Sequence, residues 1–203
     1  MISRKASALG RGLIYATRFS TVVAVSSSFA VLAAAPARLT QDLTKSTLEY
    51  SFVQAGAQNK GTFKKYTVTL DMAADSPGKL DVVIDMNSLD TGDKERDDTL
   101  RGTDLFDVAK NPQARFTSTQ ITKSGAGYDA VGKLTLRGVT KDAHVPFTLR
   151  SATEQGKSVS YLEGKTTLKR LDFGIGQGDW KSTEWVGNDV GISYSVRLTA
   201  AGS

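Results

Sequence analysis

The chain has 203 residues, 39% of them apolar, with no cysteine and a single histidine. This length suits one domain with a full core, while the residue usage excludes disulfide scaffolds, thiol catalysis and the usual zinc and copper centres. Four of the 26 basic residues (Arg4, Lys5, Arg11 and Arg18) fall in the first 37 positions, and the remaining 22 against 21 acidic residues leave +1, too little charge for a nucleic-acid partner.

Residues 1–37 read as a secretory signal peptide. Basic residues without an acid come first, residues 22–35 are apolar and small, and Ala35-Pro36-Ala37 offers an A-x-A cleavage site, with Ala33-Ala34-Ala35 as a second choice. Ser26-Ser27-Ser28 interrupts the apolar run, which falls short of the roughly 20 residues a membrane span needs. Export with cleavage is therefore expected rather than an anchor or a mitochondrial transit peptide, leaving a β-barrel domain over 38–203.

After the cut the chain alternates. Leu48, Tyr50, Phe52 and Gln54 share one face of a strand over 47–55. Residues 56–61 read as a turn, 63–71 as the next strand with a bulge at Lys64-Lys65, and Ser76-Pro77-Gly78 as another turn. Leu80, Val82, Ile84 and Met86 then alternate most clearly of all.

A charged excursion interrupts this pattern over residues 93–108. Thr91 or Asp93 can cap a short helix and Gly102 can end it, with Asp97 facing Arg101 and Lys94 facing Asp98 at four-residue spacing. Asp104 then starts a turn carrying Leu105, Phe106 and Val108, and Asn111-Pro112 stops it. Placed across a barrel end, the excursion would cover the mouth. Asp93, Glu95 and Asp97 resemble the start of a calcium loop, but Asp98 stands where glycine is needed and Asp104 where glutamate is needed, so no metal site is expected.

Strands resume over 116–122, 128–137 and 143–150, with turns at Gly125-Ala126-Gly127, Gly138 and Gln155-Gly156-Lys157. A strand through Val159, Tyr161, Thr166 and Leu168 has a break at Gly164, and Val190, Ile192, Tyr194, Val196 and Leu198 close the chain. About eight strands joined by hairpin-length loops predict an all-β fold, an eight-stranded antiparallel barrel.

No catalytic residue stands out. His144 is the lone histidine and sits on a strand face, and no G-x-S-x-G elbow occurs. Gly174, Gly176 and Gly178 precede Asp179-Trp180 rather than the helix a dinucleotide site requires. Aromatic residues recur along the strands, and a barrel lined by them would hold an apolar chain at about 0.8 kcal/mol per buried methylene.

A set of short motifs carries a resemblance. Gly61-Thr62-Phe63, Ser88-Leu89-Asp90-Thr91-Gly92, Leu105-Phe106-Asp107-Val108, Ala114-Arg115-Phe116, residues 132–140 (GKLTLRGVT) and residues 170–176 (RLDFGIG) resemble the YceI-like family over roughly residues 46–199. The resemblance implies a lipocalin-like barrel, commonly periplasmic, that holds a polyisoprenoid, quinone or similar long-chain amphiphile without covalent attachment. On the residue pattern read above, Phe52, Phe63, Phe106, Phe116 and Phe147 are the residues expected to contact the tail, and Gln54 and Trp185 those expected near its polar end. Gln54-Ala55-Gly56-Ala57 replaces a first-strand histidine, and with residues 179–185 (DWKSTEW) it resembles a subgroup associated with membrane b-type cytochromes. Two other readings stay open: an interaction module that docks on such a cytochrome, and an enzyme acting on a lipid-linked substrate.

Overall fold

The computed structural model describes residues 37–201. The proposed signal peptide at 1–37 lies outside the described residues, apart from its last position. Eleven strand segments and one α-helix occur among them: β1 (Arg38–Gln41), β2 (Thr47–Gln54), β3 (Ala57–Phe63), β4 (Tyr66–Ala73), β5 (Ser76–Asp85), β6 (Leu89–Asp90), α1 (Lys94–Arg101), β7 (Gln113–Ser124), β8 (Gly127–Leu136), β9 (Val139–Glu154), β10 (Lys157–Lys169) and β11 (Asp189–Ala200).

The eleven segments build eight staves. β1 and β2 run in line on either side of a 3-10 turn at Leu43–Lys45, and both pair with β11. β3 and β4 form the second stave, pairing with β2 and β1, and β6 and β5 form the third in the same way. β7 to β11 follow singly, each antiparallel to its predecessor, and the pairs Leu39↔Ala200 and Tyr50↔Ile192 close the ring. The eight-stranded closed barrel expected from the alternation is the one that forms, with no exposed sheet edge left between first and last staves.

Local chemistry explains the connections. Ala55-Gly56, Arg137-Gly138 and Gln155-Gly156 are two-residue turns with positive φ at both positions, the geometry that follows the right-handed twist of a hairpin. The first is shorter than the expected turn over 56–61, because β3 already pairs at Ala57 and Gly61 lies inside it. The turn expected at Ser76-Pro77-Gly78 falls two residues earlier, at Ala74-Asp75, and Pro77 enters β5 opposite Met72 beside a register shift, where a missing N–H is tolerated.

Lys64-Lys65 is a corner rather than a bulge: Lys64 N–H donates to Ser88 O and Lys65 N–H to Ser88 Oγ, so the chain changes partners there. β1 itself has no counterpart in the alternation. Four residues pinned between β4 and β11 show little periodicity.

Alternate residues point inward and are buried. Leu70, Ala130 and Leu198 are fully enclosed at one end, packed with Phe147, whose ring stacks on Tyr128 at 5.5 Å. Burying each large side chain of this kind contributes about 1.5–3 kcal/mol. The opposite end carries α1 and the loop between β10 and β11. Leu105, Phe173 and Ile175 form a second small core beneath those loops. No helix among the described residues is long and apolar enough to cross a membrane.

Candidate functional site

One end of the barrel is solid and the other is hollow. Above the floor of Leu70, Ala130, Phe147 and Leu198 the inward positions include small residues, Ala114 on β7 and Ala143 on β9, which border empty space. The result is a cavity of about 630 Å³ walled by side chains from every stave. That size falls within the range of roughly 300–1,000 Å³ typical of small-molecule sites. It reaches solvent between the β2–β3 hairpin and the first turn of α1, where exposed Ala57, Asp93 and Glu95 border it.

α1 lies at this opening, as its charged sequence suggested. Asp93 is the N-cap and accepts from Arg96 N–H at 3.1 Å, while Gly102 caps the other end. Lys94 and Asp98 pair as expected at four-residue spacing. Asp97 does not face Arg101. It turns inward, is buried, and accepts from Thr91 N–H and Thr91 Oγ1, each at 2.8 Å. Arg101 instead pairs with Asp98 and donates to Leu89 O at 2.7 Å. These bonds fasten the helix to the end of β6, and Leu100, Leu105 and Phe106 close over the cavity from there.

The facing loop is held by Arg170. Arg170 is 4% exposed, and its guanidinium donates to the carbonyls of Ile175, Ser182, Val186 and Gly187 at 2.7–3.2 Å. Burial lowers its pKa from the ordinary value, yet a guanidinium with four carbonyl acceptors stays charged. Gly176, with φ +103, lets the chain pass this group, because a Cβ there would lie 1.9 Å from Arg170 Nη1. The glycine run at 174–178 is thus a loop wrapped on an arginine.

Two tyrosines lie across glycines inside the wall. Tyr50 faces Gly61 and Tyr194 faces Gly164 in the strand register, and a Cβ at either glycine would strike the ring at under 3 Å. Gly164 therefore does not break β10, which runs straight through it. Tyr194 Oη donates to Pro146 O at 2.5 Å. Tyr50 and Tyr66 also border the cavity, and neither hydroxyl has a protein partner. Burial, followed for Tyr50 by the Asp97 carboxylate, pushes both phenols above their ordinary pKa.

Phe52, Phe63, Phe106, Phe116 and Gln54 all border the cavity. Phe52 and Phe63 flank Tyr50 with ring centroids 6.2 and 5.0 Å away. Phe147 faces inward but lies in the floor, stacked on its register partner Tyr128 and away from the residues that wall the cavity. Trp185 is 66% exposed and outside the wall, although its carbonyl accepts from Ala55 N–H at 2.7 Å beside Gln54. Trp180, the other tryptophan, borders the cavity instead. His144 lies on the outer face with Nδ1 2.8 Å from Asp129 Oδ2.

Residues 38–198 match the YceI-like domain. The chain belongs to the YceI-like family. The protein YceI of Salmonella arizonae is 43% identical over 121 residues, and a UPF0312 protein of Yersinia pestis is 42% identical over 123 residues. Each match covers 57% of this chain and 62% of the relative's length.

Among solved structures, Burkholderia cenocepacia BcnA superposes with a TM-score of 0.72 at 31% identity, covering 78% of this chain and 99% of that one. The Campylobacter jejuni YceI protein gives 0.66 at 27% identity, covering 72% and 87%. A polyisoprenoid-binding domain from Saccharophagus degradans shares the fold at a TM-score of 0.58 and 18% identity, covering 80% and 98%. The YceI-like fold accounts for the closed barrel, and the geometry above accounts for its hollow.

Proposed function

We propose that this YceI-like protein is an exported carrier that holds a polyisoprenoid or similar long-chain amphiphile inside the barrel. The observation that carries the reading is the cavity itself: enclosed on all sides by staves, walled by Phe52, Phe63, Phe116 and aliphatic side chains, and reaching solvent beside α1. Sequestering an apolar tail from water there supplies affinity without a charged partner. The description of the Saccharophagus degradans domain as polyisoprenoid-binding supports the ligand class.

Phe52, Phe63, Phe106 and Phe116 grip the tail in this reading, and Gln54 lies at the rim where a polar end leaves the wall. The role is binding rather than catalysis. Export to the periplasm rests on the leader read at 1–37, and the family match beginning at residue 38 supports it. Mass measurement of the mature protein checks this part, with a start at Arg38 expected.

Trp180 provides the direct assay. In a Trp185→Phe variant the remaining tryptophan borders the cavity, so a quinone with an alkyl tail entering the lumen quenches its fluorescence saturably. Quenching that stays linear in quinone, as in free solution, contradicts the carrier reading.

A further inference from the structure

β9 and β10 leave their hairpin as a paired ribbon and part halfway up the barrel. Their ladder runs from Lys157↔Glu154 to Glu163↔Thr148 and stops. β9 nevertheless continues to Val139 along β8, and β10 to Lys169 along β11. Among the described residues no ladder pair joins the two upper halves, so the wall has a seam there.

The sequence explains the stop. Pro146 O accepts from Tyr194 Oη at 2.5 Å and His144 O from Thr166 Oγ1 at 3.2 Å, so even-numbered residues of β9 turn their backbone polar groups toward β10. The next exchange after Glu163↔Thr148 would fall to Lys165 and Pro146, and proline has no N–H to donate. Side chains take over from the ladder: Tyr194 reaches past Gly164 to Pro146, and Thr166 reaches His144.

The cavity runs up to both banks of this seam, Ala143 and Val145 on β9 and Thr166 and Leu168 on β10. It also borders His144, whose side chain stands on the outer face and is 65% exposed. Among the described residues, His144 is the one member of an outward-facing strand row that lines the hollow. The opening beside α1 differs. There the helix is fastened through Asp97 and Arg101, and the charged Asp93, Glu95 and Arg96 stand at the rim.

We propose that the β9–β10 seam is a side portal, where the strands part and the apolar chain of the ligand enters and leaves sideways between Ala143 and Val145 on one bank and Thr166 and Leu168 on the other. This rests on the carrier reading and adds the route. Parting the strands there breaks no ladder bond, only the two side-chain clips, and draws no apolar chain past the charges of the α1 rim.

The chain has no cysteine, so one introduced pair can close the seam without side reactions. His144→Cys with Thr167→Cys places a thiol on each bank, at positions that would oppose each other if the register Glu163↔Thr148 continued, and a disulfide draws the banks together. The probe is decylubiquinone, followed by stopped-flow quenching of Trp180 in a Trp185→Phe background. The oxidised pair is expected to slow entry and release alike by about tenfold or more, and to leave the equilibrium affinity within about threefold, because a barrier common to both directions cancels from their ratio. Dithiothreitol should restore both rates. Thr166→Val removes one clip and is expected to act the other way, speeding both rates about two- to tenfold. Hydrogen exchange reads the seam without a ligand: the amides of His144 and Thr167 should exchange far faster than those of Arg150 and Tyr161, which face each other in the paired half. Rates unchanged in both the cross-linked and the Thr166→Val chains overturn the proposal while leaving the carrier reading intact, as does protection of His144 and Thr167 equal to that of the paired half. If the reduced chain shows no saturable quenching, the carrier reading itself fails.

Discussion

Asp97 and Thr91 are joined twice, through Thr91 N–H and Thr91 Oγ1, and this pair sets the position of α1 over the barrel opening. The carboxylate is buried at the first turn of the helix, so losing it leaves two donors of one residue without an acceptor. Asp97→Ala is expected to cost about 1–3 kcal/mol, seen as a melting temperature lower by several degrees. It should also speed ligand release, measured by stopped-flow loss of Trp180 quenching. Thr91→Val removes only the Oγ1 bond and keeps the one from the backbone N–H, so it should act in the same direction but less, and the double variant should cost less than the sum, because the hydroxyl bond is lost in both single variants.

Acid should loosen the closed end. Arg197 is buried between Asp42 and Glu154, with side-chain contacts of 3.0 Å to each. Hydrogen bonds from Tyr161 and then Arg197 hold the Glu154 carboxyl below its usual value of 4.5, and Thr44 and then Arg197 hold Asp42 below 3.8. Depressed folded-state values mean that the unfolded chain binds more protons in this range. The stabilisation is therefore present above about pH 4.5 and is lost as pH falls through the folded values. Melting temperatures measured across pH should be level above about 5 and fall below it, and Glu154→Gln should lower the plateau and flatten the fall.

Gly164 should resist substitution. A Cβ there would lie 2.3 Å from the carbonyl oxygen of Pro146 and 2.7 Å from the Tyr194 ring. The first clash is with backbone in a paired strand, so the wall itself must move. Gly164→Ala is expected to destabilise by about 1–3 kcal/mol, as overpacking does, with denaturant midpoints as the readout. Gly61→Ala should cost less, since it strikes only the outer end of the Tyr50 ring, which can swing into the cavity. Its effect should fall on ligand affinity.

Trp185 should be dispensable for binding. Its exposure of 66% puts the ring in solvent beside a rim to which only its backbone is tied. Trp185→Ala should change stability by less than about 0.5 kcal/mol and lumen affinity by less than about twofold, measured by equilibrium titration. A large loss of affinity would return the ring to the polar-end role expected from the sequence.

Much of this was legible in the residues alone, and the misses have physical causes. Alternation decides which face of a strand is buried, which is why Phe52, Phe63 and Phe116 fall inside as read. It says nothing of depth along a stave, so Phe147 was placed with the others although it belongs to the floor. A glycine inside a strand reads as a break, which puts Gly61 in a turn and Gly164 at an interruption of its strand. In the fold each makes room for a tyrosine from the neighbouring stave, a pairing set by register rather than by local sequence.

Loop residues have no period to follow, which left Trp185 unplaced and hid the carbonyl shell of Arg170. The Asp97–Arg101 pair obeyed helix spacing, but an acceptor beside two donors of Thr91 is better served there. The unpartnered hydroxyls of Tyr50 and Tyr66 emerge only when every donor in the folded chain is matched to an acceptor.

The most direct measurement is native mass spectrometry of the chain with excess isoprenoid lipid, run beside an Ala114→Phe variant that fills the hollow near Phe116. The account predicts a one-to-one adduct with the wild-type chain, releasable by organic extraction and sharply reduced in the filled variant. No adduct at saturating lipid, or an adduct undiminished by Ala114→Phe, would contradict it.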